Sequence, residues 1–290
     1  MYKDLAFDHD DYMIDELRDM DYAFDEYSLS DPDFRDLAFD EYGIEAPEVY
    51  LDVPYVPTDE KVVQAMLDLA EITSKDLLYD LGCGDGRIVV AAALDRRTRG
   101  IGIDMDPMRI ADAMESAGNA GVEHLVDFFE GSFLEEDFSQ ATVVTLYLLD
   151  LVNIELRPRL LNELRPGTRI VSHAFDMGDW RADECKSFSG IHLFKWFVPA
   201  KVAGHWQWQT TSGDTYKVVL QQRYQRIKGK VWINGKKAQL TSAALKGDLL
   251  ELLIQPDATS QPLSFVMRCE AKQLVATDDG FQATPAVKLG

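Results

Sequence analysis

The stretch LLYDLGCGDGRIVVAAA, Leu77 to Ala93, passes from an apolar run through an aspartate into three glycines at alternate positions, then directly into a helix-like segment. The apolar run reads as a buried strand and the residues from Arg87 as a helix, so Gly82, Gly84 and Gly86 occupy a strand-to-helix turn. Residues without a Cβ permit a tight turn and the close approach of a ligand, near the positive end of the helix. The spacing is not the dinucleotide fingerprint, whose third glycine comes three residues after the second. Nor does a Lys-Ser or Lys-Thr follow to make a phosphate loop. Acids on each side of Gly82 and Gly84, Asp80 and Asp85, suit a cationic ligand better than a pyrophosphate.

Around this turn, from about residue 47 to 199, short apolar strands alternate with helical stretches, which argues for a parallel sheet. Thr58 is expected to cap a helix through DEKVVQAMLDLAEI. Strands are expected at DLLYDLG, RGIGIDM, VDFFEGSF, ATVVTLYLL and GTRIVSHAF, with helices at GRIVVAAALD, PMRIADAMESAGNAG and VNIELRPRLLNEL. CKSFSGIHLFKWFVPA supplies a closing antiparallel pair.

Beyond Pro199 the pattern changes to alternation with glycine turns (TSGD, KGK, NGK, KGD), which predicts a small antiparallel meander or barrel of five to seven strands over residues 200–290. Trp206, Trp208, Tyr216, Tyr224 and Trp232 read as its core rather than as a base-stacking box. Residues 1–46 form a third segment, an acidic arm with helical spacing of Met13, Leu17, Met20, Phe24 and Tyr27. This reads as a solvated appendage with one apolar stripe.

The 290-residue chain carries a net charge of −21, and 17 acids against three basic residues fall in its first fifty positions. Such a field repels phosphate backbones and draws cationic partners, so nucleic acid is expected to be disfavoured and a cationic protein or small amine favoured. The three cysteines lie far apart without metal-ligand spacing, so neither a metal site nor a disulfide framework is expected. The longest apolar run is too short and interrupted to span a bilayer. With no basic, apolar leader at its start, the chain is expected to be cytoplasmic.

Asp104 ends the strand after the glycine turn, about twenty residues on, where an acid can accept both hydroxyls of a ribose. Ser132 and Phe133, in VDFFEGSF, then fall beside the place of an adenine edge. In this order, with NAGVEHLVDFFEGS and a fourth strand, these features resemble the class I S-adenosylmethionine-dependent methyltransferases over about residues 50–199. The resemblance implies an α/β fold with a doubly wound, mostly parallel seven-strand sheet and S-adenosyl-L-methionine as cofactor. It implies that Asp80, Gly82, Gly84 and Gly86 surround the methionine part with Asp85 close by. Asp104 would hold the ribose, Met105 would flank the adenine, and Ser132 and Phe133 would lie on its other side. Ser132 stands where the family usually has aspartate, which implies a weaker hydrogen bond to the adenine amino group.

The segment DVPYVPTDEKVV, with DLGCGDGRIVVAAA, is similar to the bacterial and mitochondrial protein-lysine methyltransferases, including the group that methylates the c-ring protein of ATP synthase. In that group PYVPT forms a lid, which implies Tyr55 and Thr58 near the methionine carboxylate. The acceptor is expected beyond the carboxyl ends of the strands, at LYLLD and SHAFDMGDW, with Tyr147, His173 and Asp176 as the groups to align an amine or accept its proton. Trp180 either walls the acceptor channel or packs in the core. The expected activity is methyl transfer to a protein lysine nitrogen. A small-molecule N- or O-methyltransferase and a non-catalytic cofactor-binding interaction protein are the alternatives.

Overall fold

A computed structural model of the chain describes residues 55–277 and 284–289. The acidic arm and the first residues of the DVPYVPT segment lie outside the described residues.

β1 (Leu77–Leu81) lies at the centre of a seven-strand sheet. It pairs in parallel with β2 (Arg99–Asp104) on one side and with β4 (Val143–Leu146) on the other. β3 (Val126–Glu130) lies outside β2. β5 (Arg169–His173), β7 (Ile191–Phe197) and β6 (Glu184–Phe188) follow β4, giving the order β3-β2-β1-β4-β5-β7-β6. Only β7 runs against the rest, because it is joined to β6 by a tight hairpin. The strand order reverses at β1, so the crevice of such a sheet opens beyond the carboxyl ends of β1, β2 and β4.

Alternation along the strands divides the core between the two faces. Leu78, Val143 and Val171 pack with Val62, Val63 and Met66 of α1 (Glu60–Leu69) and with Ile88 of α2 (Arg87–Arg96). Tyr79, Leu81, Val144, Leu146 and Ile170 face the opposite way, onto Leu156 and Leu160 of α4 (Asp150–Glu163). α3 (Pro107–Ala120) starts with proline in its first turn behind the Asp106 cap and ends at Gly121 in the left-handed region. The cap of α1 differs from expectation. Asp59 is the N-cap, accepting from the Lys61 amide at 2.9 Å, while Thr58 is buried.

Eight further strands close into an antiparallel barrel. They are β8 (Gly204–Gln209), β9 (Thr215–Arg223), β10 (Arg226–Ile233), β11 (Lys236–Lys246), β12 (Leu249–Gln255), β13 (Leu263–Glu270), β14 (Gln273–Ala276) and β15 (Ala286–Leu289), and β15 returns to β8. Five to seven strands were expected. The last two have four residues each, too short to show alternation in sequence. The five aromatics expected in the barrel core divide three ways. Trp206, Trp208 and Tyr216 are at most 2% exposed, and Trp208 stacks on Tyr216 at 5.2 Å. Tyr224 occupies the β9–β10 turn, where it stacks on Trp180 at 5.9 Å. Trp232 is half-buried, on a strand whose register sets it on the outer face. Trp180 packs in the core, fully buried, with Nε1 donating to Gln225 Oε1 at 3.1 Å, so it ties the barrel to the sheet.

Candidate active site

After β1 the backbone turns through Gly82 (φ 78), Gly84 (φ 53) and Gly86 (φ 73), all in the left-handed region where a Cβ is strained. The space around each glycine is closed as well. A Cβ at Gly82 would stand 2.9 Å from Leu148 Cδ2, and one at Gly84 would stand 2.5 Å from Tyr55 Cε2. At Gly86 it would meet Ala113 and Phe128 at 2.8 Å. The turn is therefore side-chain-free in order to admit protein groups: an aromatic ring over Gly84, and α3 with β3 against Gly86.

Backbone amides hold the turn in place. Gly82 N and Cys83 N donate to the Ile103 carbonyl at 2.8 and 3.0 Å. Gly84 N donates to Asp104 Oδ2 at 2.8 Å, while Asp104 Oδ1 accepts from Asp106 N at 3.0 Å. Asp104 thus fastens the end of β2 to the glycine turn and keeps one lone pair on each oxygen for other donors.

Above the turn lies a cleft that encloses about 800 Å³, including the solvent at its mouth. Tyr55 and Thr58 line it from the entering segment. Asp80, Gly82, Gly84 and Asp85 form its floor, and Asp104, Met105, Phe133 and Tyr147 are also in the lining. Four of the expected residues lie outside that lining. Gly86 is taken up by packing. Ser132 turns its hydroxyl to the Leu134 amide at 3.2 Å, as a residue starting a helical turn does. Asp176 accepts from Gly178 N at 2.8 Å and donates its own amide to Asp150 Oδ1 at 3.1 Å. His173 is buried behind Tyr147, ring edge to ring, with centroids 3.8 Å apart. Neither nitrogen of His173 has a hydrogen-bond partner.

Residues 80–184, from the end of β1 to the start of β6, match the ANTKMT methyltransferase domain. A protein-lysine N-methyltransferase of Saccharolobus islandicus is 47% identical over 133 residues, which cover 46% of this chain and 83% of that protein. The chain belongs to the S-adenosylmethionine-dependent methyltransferases. Within them it is related to the protein-lysine enzymes. The adenine nucleotide translocase lysine N-methyltransferase of Mus musculus is 30% identical over 131 residues, which cover 45% of this chain and 57% of that protein. An RNA methyltransferase of Salinibacter ruber, solved with S-adenosyl-L-homocysteine, is 49% identical with a TM-score of 0.50, covering 51% of this chain and 96% of that one. That similarity corrects the expectation drawn from net charge. A close relative acts on RNA by name, so an overall charge of −21 does not set nucleic acid aside.

The donor set of this methyltransferase fits a sulfonium nucleoside. Asp80 is 2% exposed and accepts from Thr145 Oγ1 at 2.7 Å. Burial, together with the neighbouring Asp104 and Asp85, raises its pKa to about 7 despite that hydrogen bond. An uncompensated buried carboxylate beside two others is a site short of a cation, which an ammonium or sulfonium supplies. Burial pushes the Asp85 carboxyl up, but the hydrogen bonds and charge of Arg87 outweigh it and hold the pKa below its ordinary value. Arg87 Nε donates to Asp85 Oδ1 at 2.8 Å, and Nη1 donates to the Thr58 carbonyl at 2.7 Å. Arg109 stacks over the Tyr55 ring at 4.7 Å. Two arginines therefore hold the entering segment down on the glycine turn.

Three of these groups, Arg87, Arg109 and Thr145, were not singled out from the sequence. Arg87 directly follows the motif, and a cation two residues from Asp85 was a signal available to be read. Thr145 faces Asp80 only through the β1–β4 register, which no local pattern encodes.

Proposed function

We propose that the cleft holds S-adenosylmethionine with Asp104 on the ribose hydroxyls, Met105 and Phe133 against the adenine, and Asp80, Gly82 and Gly84 about the methionine part. Tyr55 and Thr58 close over it, and the acceptor is a protein lysine nitrogen. The 47% identity to a protein-lysine N-methyltransferase, over 83% of that protein, carries the acceptor reading. The acidic floor supports it, since it favours approach of a cationic side chain.

The cofactor supplies a methyl group on a positively charged sulfur, which a nucleophile displaces in line. The protein contributes position and dryness. Burial raises the Tyr147 pKa, so its phenol stays protonated and orients through its hydroxyl. Burial lowers the His173 pKa to about 4, so the imidazole is neutral at pH 7. It packs behind Tyr147 as a support for that ring and is too weak a base to deprotonate an ammonium. Asp150, raised by burial and by Asp176, lies at the start of α4. With Tyr147 protonated and His173 too weak a base, the lysine gives its proton to solvent before it is enclosed. Ser132 and Gly86 act through backbone geometry, and Asp176 acts through the β5 loop.

A specific observation also favours an RNA acceptor, the 49% identity to the Salinibacter protein. Transfer of labelled methyl from S-adenosylmethionine into an extract separates the two readings. The lysine reading expects label in protein that survives nuclease and appears as methyl-lysine after acid hydrolysis. Label that is lost to ribonuclease overturns it in favour of RNA. The compartment we propose is the cytoplasm, supported by three unpaired cysteines, of which Cys83 is buried. Among the described residues no helix is long and apolar enough to cross a membrane.

A further inference from the structure

The barrel reverses the charge of the rest of the chain. Residues 215–247, which span β9, β10 and β11, contain eight Lys and Arg and no Asp or Glu, in a chain of net charge −21. The strand register arranges these cations. Trp232 of β10 pairs with Lys217 of β9 on one side and with Lys237 of β11 on the other. Residues paired in register point to the same face, and Lys217 and Lys237 are exposed. The neighbouring Val231 is fully buried, as are its partner Val218 and the next inward residue of β9, Leu220. Trp232 and the two lysines therefore stand on the outside of the barrel. The same outward set continues along β10 with Lys230, which is exposed, then Lys228 and Arg226, the last paired with Arg223. At roughly 3.4 Å per residue this strip is about 20 Å long. At its far end Arg223 is paired with Asp179 of the loop between β5 and β6, at 2.6 Å.

Trp232 also differs from every other tryptophan in the chain. Trp180, Trp196, Trp206 and Trp208 are at most 1% exposed. A half-buried indole on an outer face, flanked by lysines on both adjacent strands, has no core to serve. A row of positive charge interrupted by an outward-facing, half-buried aromatic matches one ligand chemistry well, a single strand of nucleic acid. Phosphates follow the cations and a base stacks on the ring. An acidic polypeptide would meet the charge and leave the indole unused. The negative charge elsewhere in the chain does not defeat such a strip, because at physiological salt its field is screened beyond about 8 Å.

We propose that the outer face of β9, β10 and β11 binds single-stranded nucleic acid, with Lys217, Lys230 and Lys237 on phosphates and Trp232 stacked on a base. This surface is separate from the methyl-transfer cleft and does not rest on which acceptor is methylated.

The test uses the full chain and a twelve-residue oligouridylate, followed by anisotropy and by tryptophan emission over a range of salt. Because four tryptophans are buried, quenching reports Trp232. The expected results are saturable binding with quenched emission, at least tenfold weaker binding for K217Q/K230Q/K237Q, and a log-log salt slope shallower by about 2. W232F should bind without the quench, and W232A more weakly. The variants should retain cofactor affinity, which shows that they are folded. The proposal is overturned if the wild-type chain does not bind. Binding unchanged in the triple variant overturns it too, as does a preference for polyglutamate or heparin with unquenched emission.

Discussion

Asp104→Ala is expected to weaken S-adenosylmethionine binding by at least about 100-fold while lowering the melting midpoint by only a few degrees. The carboxylate spends one lone pair per oxygen on Gly84 N and Asp106 N, and Asp104 lines the cleft with a second lone pair left on each oxygen. A hydrogen bond to a charged acceptor contributes about 1.5–3 kcal/mol. Losing two from the ribose hydroxyls therefore exceeds the roughly 2.8 kcal/mol of a 100-fold change. The fold loses less, since Asp106 is partly exposed and its freed amide can turn to water, so the cost is confined to the buried Gly84 amide. Calorimetric titration alongside thermal unfolding checks both halves. A large fall in melting temperature with unchanged affinity would mean that Asp104 is only a fastening for the turn.

Asp80 predicts a second large effect, in pH. Its pKa is about 7 in the folded protein, against an ordinary value of 3.8. Between those values the folded state holds a proton that the unfolded chain has released. The contribution of Asp80 to stability is therefore present below about pH 4 and is lost as pH rises through about 7. Cofactor binding has the opposite sign, because a cationic ligand selects the ionised carboxylate. Affinity should rise by up to about tenfold per pH unit below 7 and flatten above it. Asp80→Asn keeps an acceptor for Thr145 and removes the charge. It should bind weakly at every pH with a flat profile. A wild-type affinity that does not vary between pH 5.5 and 8 would contradict the assignment.

How much of this was legible in the sequence depends on the range of the interaction. The strand, glycine turn and helix around Gly84 are set by neighbours within ten residues, and they stand where the local pattern puts them. The same holds for Asp104, since its place at the strand end fixes where its carboxylate can reach. Closure of the barrel was less visible because β14 and β15 have four residues each, and pairing between β15 and β8 is decided across some eighty residues. The reason for the glycines was half legible. Left-handed backbone could be read from their type, but the ring of Tyr55 over Gly84 and the side chain of Leu148 against Gly82 could not. Ser132 and His173 show the complementary limit. Their positions follow from the strands, yet the direction of each side chain is settled by a turn amide or a neighbouring ring.

A crystal structure of the full chain with S-adenosyl-L-homocysteine tests most directly whether the nucleoside is seated between Asp104 and the glycine turn. The predicted result is ribose hydroxyls on the Asp104 carboxylate, the adenine beside Met105 and Phe133, and the sulfur directed toward Tyr147. Density for the nucleoside at any other site, or an Asp104 carboxylate bonded only to Gly84 N and Asp106 N with the ligand present, would contradict it.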